Sequence, residues 1–485
     1  GPTDPVYTSG GLTKVSLKID INDLVPGQKW KGLRKLSLEV GESGPLTEGM
    51  AWQVHRIAGE AGYYKYDAAN AAWTRLYVNG AFHGIYTSAE QRDEQFLRNR
   101  DLYSTGNTWL YKIDDGIVLQ EGIGDSPTRQ HLNFSPFVLG GSAPNLEIDL
   151  PQWIDMESML TLGATHAYLE NNDGLFKNDG KNSFAADFEP PNERLRMYFP
   201  WDLDTGFKKG NTSIYGNFFG NEILDVPWFR RVYEHTMREL IEGAWSETSL
   251  HAFLDDLETV LAPELASDPF VGGGSGSFDN LRDWVVTRNA NVLGQLTLPY
   301  VPRPAFNHPG GELVSGFGLT MGAASGQIYF TTDGTDPRLP GGAVAPGATL
   351  YTAPLIIDRG MRVMARTLDS GNWSGLPTDL TFQLAAYGSP LRISEIMYHP
   401  ADLNPGDSID EDDYEFIELY NTSATTADVS GHYFDGITFT FPPGSTIGPG
   451  ERIVLVREAS AFSVRYPSVT PYGEYLGGLS NGGEK

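Results

Sequence analysis

A chain of 485 residues is too long for one ordinary hydrophobic core, so we expect two to four domains. Its 62 acidic residues against 35 basic residues give a net charge of −27, which opposes nonspecific binding to nucleic acid or to anionic membranes. There is no cysteine, which excludes disulfides and thiol chemistry. No apolar run is long enough to predict a membrane span.

The first part of the chain, from residue 12 to about residue 115, has the pattern of strands with one helix. The helix is predicted near residues 46–60, and a hairpin is predicted over Trp73–Tyr86. Gly49 falls inside the predicted helix, where glycine costs about 1 kcal/mol relative to alanine.

Helical spacing of apolar residues returns further along the chain. Residues 151–172 predict a helix that delivers Asp173 at its C-terminal loop. Residues 224–261 are again helical, and the tract 266–277 predicts a flexible loop. The expected buried stripe of that second helical region consists of Val232, Met237, Leu240 and Ile241.

Short oxygen-bearing side chains are concentrated between residues 171 and 207, on predicted loops flanked by apolar segments. They are Asp173, Asn178, Asn182, Asp202 and Asp204. Carboxylate and amide oxygens are the ligands that hard divalent cations prefer. Side chains two apart in an extended segment face the same way, so Asp202 and Asp204 are expected to reach one metal ion. The alternative for Asp173 is a turn that merely closes the helix, because Asn and Asp are common turn residues.

These segments resemble the CotH family, the spore-coat-protein-H-like atypical protein kinases. Asn171 and Asp173 match its Asn-x-Asp segment, Asn182 its Asn before an aromatic strand, and residues 200–207 its Pro-Trp-Asp-x-Asp-x-x-Phe signature. Further matches lie upstream at residues 35–38, 46–48, 76–80, 84–86, 90 and 110–112. The resemblance covers residues 12–300 and implies an α+β atypical kinase-like domain, with an N-lobe over about 12–115 and a C-lobe over about 116–300.

The resemblance also implies roles for individual residues, with ATP and Mg²⁺ or Mn²⁺ as cofactors. Asp173 is the expected catalytic residue that orients the proton of an acceptor hydroxyl. Asp202 is the expected primary metal ligand and Asp204 a second one. Asn182 fits the family motif, and Asn178 fits the spacing of generic protein kinases, so both remain candidates for the metal.

Four more residues are nucleotide-binding candidates. Lys35 is expected to contact phosphates while paired with Glu48 of the helix, Glu90 to lie near the adenine, and Lys112 to contact phosphate. The alternative for Lys35 is an exposed basic strand face shared with Lys31 and Arg34.

Two small all-β modules, expected to be immunoglobulin-like sandwiches, follow the first domain. Residues 304–385 resemble the C-terminal domain of chitobiases and β-hexosaminidases, here a spacer or accessory module, and Asp333-Gly334 predicts a type I′ hairpin within it. Residues 390–485 resemble a lamin-tail domain of the kind found outside cells in bacterial proteins. We expect further strands beyond Lys485 and a natural N-terminus, including a signal peptide, before Gly1-Pro2.

Three hypotheses about function follow. The first is a secreted or surface phosphotransferase that uses ATP to phosphorylate Ser or Thr of exported proteins. The second is a pseudokinase scaffold for adhesion or assembly at the cell surface, whose β modules bind surface or extracellular proteins. The third, suggested only by the chitobiase-like module, is a polysaccharide-associated protein.

Overall fold

The computed structural model describes residues 7–9, 12–30, 33–41, 44–66, 68–114, 117–122, 124, 126, 143–171, 173–174, 182–189, 194–215, 223–270, 277–384, 391–401, 409–434 and 436–479. Within these residues, strands and helices are mixed up to about residue 295, and strands predominate after residue 305. The predicted change from a mixed to a mainly β chain is confirmed at this level. None of the described helices combines the length and hydropathy needed to cross a bilayer.

The first sheet has four antiparallel strands with one helix packed on it. In chain order the elements are β1 Tyr7–Ser9, β2 Leu12–Lys14, β3 Leu17–Asp20, β4 Lys35–Glu39, α1 Pro45–Glu60, β5 Ala71–Val78 and β6 Ala81–Ala89. The strand order is β3-β4-β6-β5, and β1 and β2 form a separate hairpin. The predicted helix near residues 46–60 and the predicted hairpin over Trp73–Tyr86 are confirmed.

A close contact explains the glycine inside α1. The indole of Trp73, on β5, lies so near Gly49 that a Cβ there would fall 2.4 Å from ring atom Cε2. Trp73 Nε1 also donates a hydrogen bond to the carbonyl oxygen of Pro45 (2.8 Å). Gly49 lowers the helix propensity of α1, but it lets the helix approach the sheet closely.

The second sheet has the strand order β10-β9-β7-β8, and α2 lies between the two sheets in the chain. The elements are α2 Glu94–Arg98, β7 Thr108–Ile113, β8 Ile117–Glu121, α3 Ala143–Asp149, a 3₁₀ turn Leu150–Gln152, α4 Met156–Tyr168, β9 Ser183–Phe188 and β10 Met197–Pro200. One continuous hydrophobic core joins both sheets. Phe199 of β10, for example, packs against the rings of Tyr66 and Phe96 at centroid distances of 4.7 and 5.1 Å.

The helices are shorter and more numerous than the periodicity predicts. Where one helix was expected over residues 151–172, α4 begins at Met156 because Asp155 caps it by accepting a hydrogen bond from the Ser158 N–H. The helical region 224–261 is two helices separated by residues 243–246, and the second continues to Ser267. The remaining helices of this part are α5 Pro227–Glu242, α6 Glu247–Ser267 and α7 Phe278–Gln295. The four residues of the predicted stripe on α5 are all buried, as expected.

The next part of the chain is built from short strands. They are β11 Ala305–Phe306, β12 Gly311–Leu313, β13 Phe317–Leu319, β14 Met321–Gly322, β15 Gln327–Thr331, β16 Thr349–Leu350, β17 Leu355–Ile357, β18 Met361–Asp369, β19 Asn372–Trp373 and β20 Thr378–Leu384. The main sheet has the order β12-β20-β18-β15-β16, with β19 also paired to β18. β11 pairs with β14, and β13 with β17.

The predicted two-residue hairpin at Asp333-Gly334 is wrong. β15 pairs with β16, which starts at Thr349, so the chain makes a long excursion before it returns. The Asp333 carboxylate instead accepts hydrogen bonds from the N–H (3.0 Å) and the hydroxyl (2.6 Å) of Thr335. This local side-chain turn satisfies the same Asp-Gly sequence without a hairpin.

The last part contains a four-stranded sheet with the order β21-β22-β25-β26 and a separate β23-β24 pair. Its elements are β21 Leu391–Met397, a 3₁₀ turn Glu411–Tyr414, β22 Phe416–Asn421, β23 Ala427–Asp428, β24 Thr446–Ile447, β25 Arg452–Val456, α8 Ala459–Arg465 and β26 Gly473–Glu474.

Ion pairs join this last part to the loop between β3 and β4 and to α2. Lys29 Nζ lies 3.0 Å from Asp410 Oδ1 and 3.4 Å from Asp412 Oδ2, and both Lys29 and Asp410 have side chains less than a tenth exposed. Arg34 also pairs with Asp410, and Arg98 pairs with Asp413 at 3.3 Å. Arg34 is therefore not a freely exposed member of a basic strand face.

We predict that Lys29→Met lowers the free energy of unfolding by about 2–3 kcal/mol, because it leaves buried carboxylates without their main counter-charge. Urea unfolding measures the change. Arg359→Met is the matched control, since the Arg359–Asp358 pair is exposed and should contribute less than about 1 kcal/mol. Equal effects of the two substitutions would contradict a buried ionic contact between the two parts.

Candidate active site

The loop after β10 carries Asp202 and Asp204 on either side of a buried leucine. Leu203 is part of the hydrophobic core, whereas both aspartates are half-buried. Asp202 has a φ of 54°, so the extended segment from which the two carboxylates were expected to face one way is not formed. The turn nevertheless leaves Asp204 as the neighbouring charge that most strongly raises the pKa of Asp202.

Strand pairing brings two more predicted residues to this loop. β9 starts directly after Asn182, and the Trp201 N–H donates to the Asn182 carbonyl oxygen (3.0 Å). Nδ2 of Asn182 donates to Oδ2 of Asp173 (3.1 Å), and the charge of Asp173 acts on Asp202. The structure thus assembles four of the five predicted catalytic and metal-binding residues. Asn178 lies outside the described residues.

Asn171 ties the loop of Asp173 to the loop of Asp204. Its Oδ1 accepts hydrogen bonds from the Asp173 main-chain N–H (2.9 Å) and from the Thr205 hydroxyl (2.7 Å). Asn171 is buried, and its Nδ2 has no hydrogen-bond partner among the residues that the structure describes. These contacts fix the position of Asp173 relative to the loop that carries the two aspartates.

The buried Glu170 carboxylate and the buried Arg288 guanidinium both form hydrogen bonds with the loop that follows β10. Glu170 Oε2 accepts hydrogen bonds from the N–H of Gly210 (2.7 Å) and from Trp284 Nε1 (2.9 Å), and Oε1 accepts one from the Thr212 N–H (3.2 Å). Burial opposes ionisation of Glu170, but these donors outweigh it and lower its pKa. Arg288 donates to three main-chain carbonyl oxygens, those of Ala167, Tyr168 and Thr212.

The backbone of the site is held in a conformation that L-residues rarely adopt. Seven non-glycine residues among those described have positive φ, and four of them surround the site. They are Glu170 (58°), Asn182 (50°), Asp202 (54°) and Phe207 (55°). Such strain persists only where surrounding contacts over-determine it, and it concentrates at functional sites.

Negative charge accumulates where the two sheets meet. Burial, as the largest cause, and then the neighbouring Asp204, Glu39 and Asp173 carboxylates, in that order, together raise the pKa of Asp202 to about 8. Burial also raises the pKa of Glu48 well above its usual range, and Glu39, Asp204 and Asp202 add to the effect. Carboxylates from both sheets therefore share one electrostatic environment.

The structure does not place Lys35 and Glu48 as the nucleotide-binding pair that was expected. Lys35 pairs with Asp20 at 3.9 Å, and the structure does not bring it to Glu48, which is buried among carboxylates. The expected Lys35–Glu48 pair is thus not formed.

The other two candidates are in ion pairs. Glu90 is buried and binds Arg100 through both carboxylate oxygens, at 2.7 and 3.0 Å. Lys112 pairs with Asp114 at 3.0 Å, and its cross-strand neighbour on β9, Phe184, packs against Trp201 (5.8 Å). Of Lys35 and Lys112, it is Lys112 that is connected to the loop of Asp202, through the packing of Phe184 against Trp201.

Sequence reasoning missed several residues of the site. Glu39 could have been considered from the sequence, because the two-residue period of a strand puts it on the same face as Lys35. Thr205 lies inside the recognised motif. No local signal links Glu170 to Arg288, since 118 positions separate them and only the fold brings both to the same loops.

A separate cluster of acidic side chains lies in the last part of the chain, where a lysine compensates its charge. In the part of the chain that the structure describes, the one set of three or more acidic or histidine side chains with mutually close ligand atoms is Asp410, Glu411 and Asp412. Lys29 lies within 3.5 Å of all three carboxylates. We therefore do not interpret this group as a metal site.

Comparison with known families agrees with the three-part division of the chain. The family model described as CotH kinase protein matches residues 8–292, more than half of the chain. The model described as Fn3 associated matches residues 318–382, and the Lamin Tail Domain model matches residues 385–482. No curated protein matches the chain.

We predict that Asp202→Asn reduces the loss of stability at rising pH in protein without divalent cations. The folded pKa of Asp202 is about 8, and an unfolded aspartate has a pKa of about 3.9. Between these pH values the folded protein retains a proton that the unfolded chain has lost, so this group lowers the free energy of unfolding as pH rises. The contribution is constant below about pH 4 and complete above about pH 8.

Urea unfolding in EDTA at pH 5 and pH 8.5 measures this slope. The variant should lose less stability than wild type by more than about 1.4 kcal/mol, the free energy of one pKa unit. Asp358→Asn, at an exposed position, should retain the wild-type slope. Identical slopes for all three proteins would contradict the raised pKa.

We also predict that Glu170→Gln lowers the free energy of unfolding by about 2–3 kcal/mol, because the amide replaces one acceptor with a donor facing buried N–H groups. Tryptophan emission should change, since Trp284 loses its charged acceptor. Glu242→Gln serves as the control, because that side chain is half exposed. An unchanged emission spectrum together with unchanged stability would show that Glu170 does not hold the loops.

Proposed function

The chain belongs to the CotH kinase protein family, and from this premise we propose that it is an atypical protein kinase. It transfers the γ-phosphoryl group of ATP to Ser or Thr side chains of exported proteins, with Mg²⁺ or Mn²⁺ as the cation. The observation that carries the proposal is the convergence of Asp173, Asn182, Asp202 and Asp204, which come from three separate segments.

The donor set fits a hard divalent cation. Asp202 and Asp204 offer carboxylate oxygens, Asn182 offers an amide oxygen, and all three belong to the ligand type that Mg²⁺ selects. Asp202 is our primary ligand, because the charges of both Asp204 and Asp173 act on it. Bound there, the cation would neutralise negative charge on the phosphates of ATP.

Asp173 is our catalytic residue. Its carboxylate accepts a hydrogen bond from Asn182, and its main-chain N–H is held by Asn171, so the side chain has a fixed position. Phosphoryl transfer depends mostly on positioning and electrostatics, and an ionised carboxylate at this point would orient the acceptor hydroxyl and accept its proton.

The nucleotide contacts are supported less directly. Lys112 is our phosphate-binding residue, because its strand neighbour packs against the residue before Asp202. Because the Glu90 carboxylate is bound to Arg100, Glu90 would contact the adenine through its main-chain groups rather than through its side chain.

We place the enzyme outside the cytoplasm, secreted or at the cell surface. The support is the family of spore coat proteins after which the N-terminal region is named, together with the Lamin Tail Domain at the other end. In this proposal the two C-terminal modules contact surface or extracellular proteins, and the N-terminal domain modifies them.

Thermal unfolding with ATP and Mg²⁺ or Mn²⁺ tests this proposal. Ligand at 100 times its Kd should stabilise wild type by about 2.7 kcal/mol. Asp202→Ala should abolish the shift. Asp173→Ala should keep the shift but slow phosphate transfer from labelled ATP by about 10²- to 10⁴-fold, because it removes the general base.

Asp225→Ala, at an exposed position, is the control and should retain both properties. No shift for wild type at millimolar ligand would contradict nucleotide binding. A shift without transfer to any exported protein would instead favour the pseudokinase scaffold.

A further inference from the structure

A cavity lies between the N-terminal domain and the module that matches the Fn3 associated model. Its volume is about 280 Å³, and ten apolar and seven charged side chains line it. Helices α3, α4 and α5 supply most of one side, and residues 336, 338, 340 and 366 supply the other. Mostly apolar walls with a few polar groups are the usual features of a ligand site.

The carboxylates in the wall of the cavity are already engaged. Oε1 of Glu147 accepts hydrogen bonds from Arg338 Nη2 (2.7 Å) and from the Gly341 N–H (3.0 Å). Both carboxylate oxygens of Asp336 accept hydrogen bonds from Arg366, each at 2.8 Å. The other two carboxylates lie near the ammonium of Lys65, and they are Asp155 (3.3 Å) and Glu157 (3.5 Å). With four carboxylates against three cations, the wall has no excess of positive charge for an anionic ligand.

One hydrogen-bond donor in the wall is left over. Nε of Arg338 is buried and has no hydrogen-bond partner among the residues that the structure describes. The Arg338 side chain is 9% exposed, and its guanidinium lies 3.7 Å from the ring centroid of Trp228. A buried N–H without an acceptor is costly. The cavity therefore favours an occupant that brings a neutral acceptor, such as a carbonyl oxygen.

The apolar lining continues from the cavity to the surface. Ile148, on α3, and Leu195, before β10, both line the cavity, and they are 49% and 39% exposed. Pro340, on the opposite side, is exposed as well. An occupant that also covers these residues must extend beyond the cavity. An extended peptide meets this requirement, because it presents an apolar side chain with main-chain carbonyl groups on either side of it.

Helix α4 relates the cavity to the candidate active site. Met156, in the first turn of α4, lines the cavity. Gly174, which follows Asp173, packs against the last turn, because a Cβ on Gly174 would lie 2.2 Å from Nδ1 of His166. The rise along the helix from Met156 to His166 is about 15 Å. An extended peptide covers that distance with about five residues.

We propose that this cavity binds an apolar side chain of the protein substrate, away from the Ser or Thr that is phosphorylated. The side chain is of the Leu, Ile, Val or Met type, and a main-chain carbonyl oxygen next to it accepts a hydrogen bond from Arg338 Nε. At least about five residues separate the bound side chain from the acceptor hydroxyl. The inference rests on the proposed function, since the bound segment belongs to the phosphoacceptor protein.

Saturation-transfer NMR on the full chain without ATP tests the site, with N-acetyl-L-leucinamide as the probe. Wild type should bind this probe more tightly than N-acetylglycinamide, which lacks the side chain, and more tightly than N-acetyl-L-leucine, which is anionic. Ile148→Glu should weaken binding by about tenfold or more, because it places a charge on the apolar mouth of the cavity. Val260→Glu is the matched control, since Val260 is 71% exposed on α6 and does not line the cavity.

Kinetics on an exported protein that wild type phosphorylates connect the cavity to the substrate. Ile148→Glu should raise KM for that protein by about tenfold or more and leave kcat unchanged, because it weakens binding away from the reacting groups. The thermal shift with ATP and Mg²⁺ should stay at the wild-type value, which shows that the variant is folded and binds nucleotide. Val260→Glu should match wild type in all three properties.

Several results would overturn the inference and leave the proposed function intact. They are no binding of N-acetyl-L-leucinamide by wild type at millimolar concentration, equal binding by wild type and Ile148→Glu, tighter binding of the anionic probe, and an unchanged KM in Ile148→Glu. Absence of the ATP shift and of phosphate transfer in wild type would instead contradict the proposed function. The probe measurement needs neither ATP nor transfer, so the two failures are distinguishable.

Discussion

The concentration of carboxylates where the two sheets meet is the constraint on which the rest of this structure depends. Glu39 and Glu48 come from the first sheet and its helix, and Asp202 and Asp204 come from the loop after the second sheet. Like charges repel one another more strongly where burial lowers the effective dielectric constant. Burial and this repulsion raise the pKa of Asp202 and of Glu48, which favours their neutral forms in the folded chain.

The elements around the junction oppose that repulsion. Arg288 and Glu170 are buried, and Arg288 makes three hydrogen bonds, and Glu170 two, to the loop or helix end that delivers the site residues. Four residues are held at positive φ, which shows that tertiary contacts override local preference here. The same fold therefore supplies both the strained geometry of the site and the contacts that maintain it. This combination is typical of a preorganised centre for charge stabilisation.

Sequence patterns predicted the features that depend on residues close together in the chain. The helix at residues 46–60, the hairpin over Trp73–Tyr86 and the family of the N-terminal region are confirmed. The pairing of Lys35 with Glu48, the hairpin at Asp333 and the extended conformation at Asp202 were not formed, because side-chain turns and distant partners decide those positions. The buried Lys14–Asp268 ion pair shows why such contacts are hard to predict. The two residues are 254 positions apart, and neither residue type indicates the other as its partner.

The central claim is that the carboxylates at the junction of the two sheets hold a divalent cation beside a nucleotide. Crystals grown with Mn²⁺ and a non-hydrolysable ATP analogue test it most directly, because anomalous scattering locates Mn²⁺ independently of the protein coordinates. The account predicts a peak coordinated by Asp202 and Asp204, with the analogue's phosphates beside it. A nucleotide complex with no peak there, or with Mn²⁺ only at Asp410 and Asp412, would contradict it.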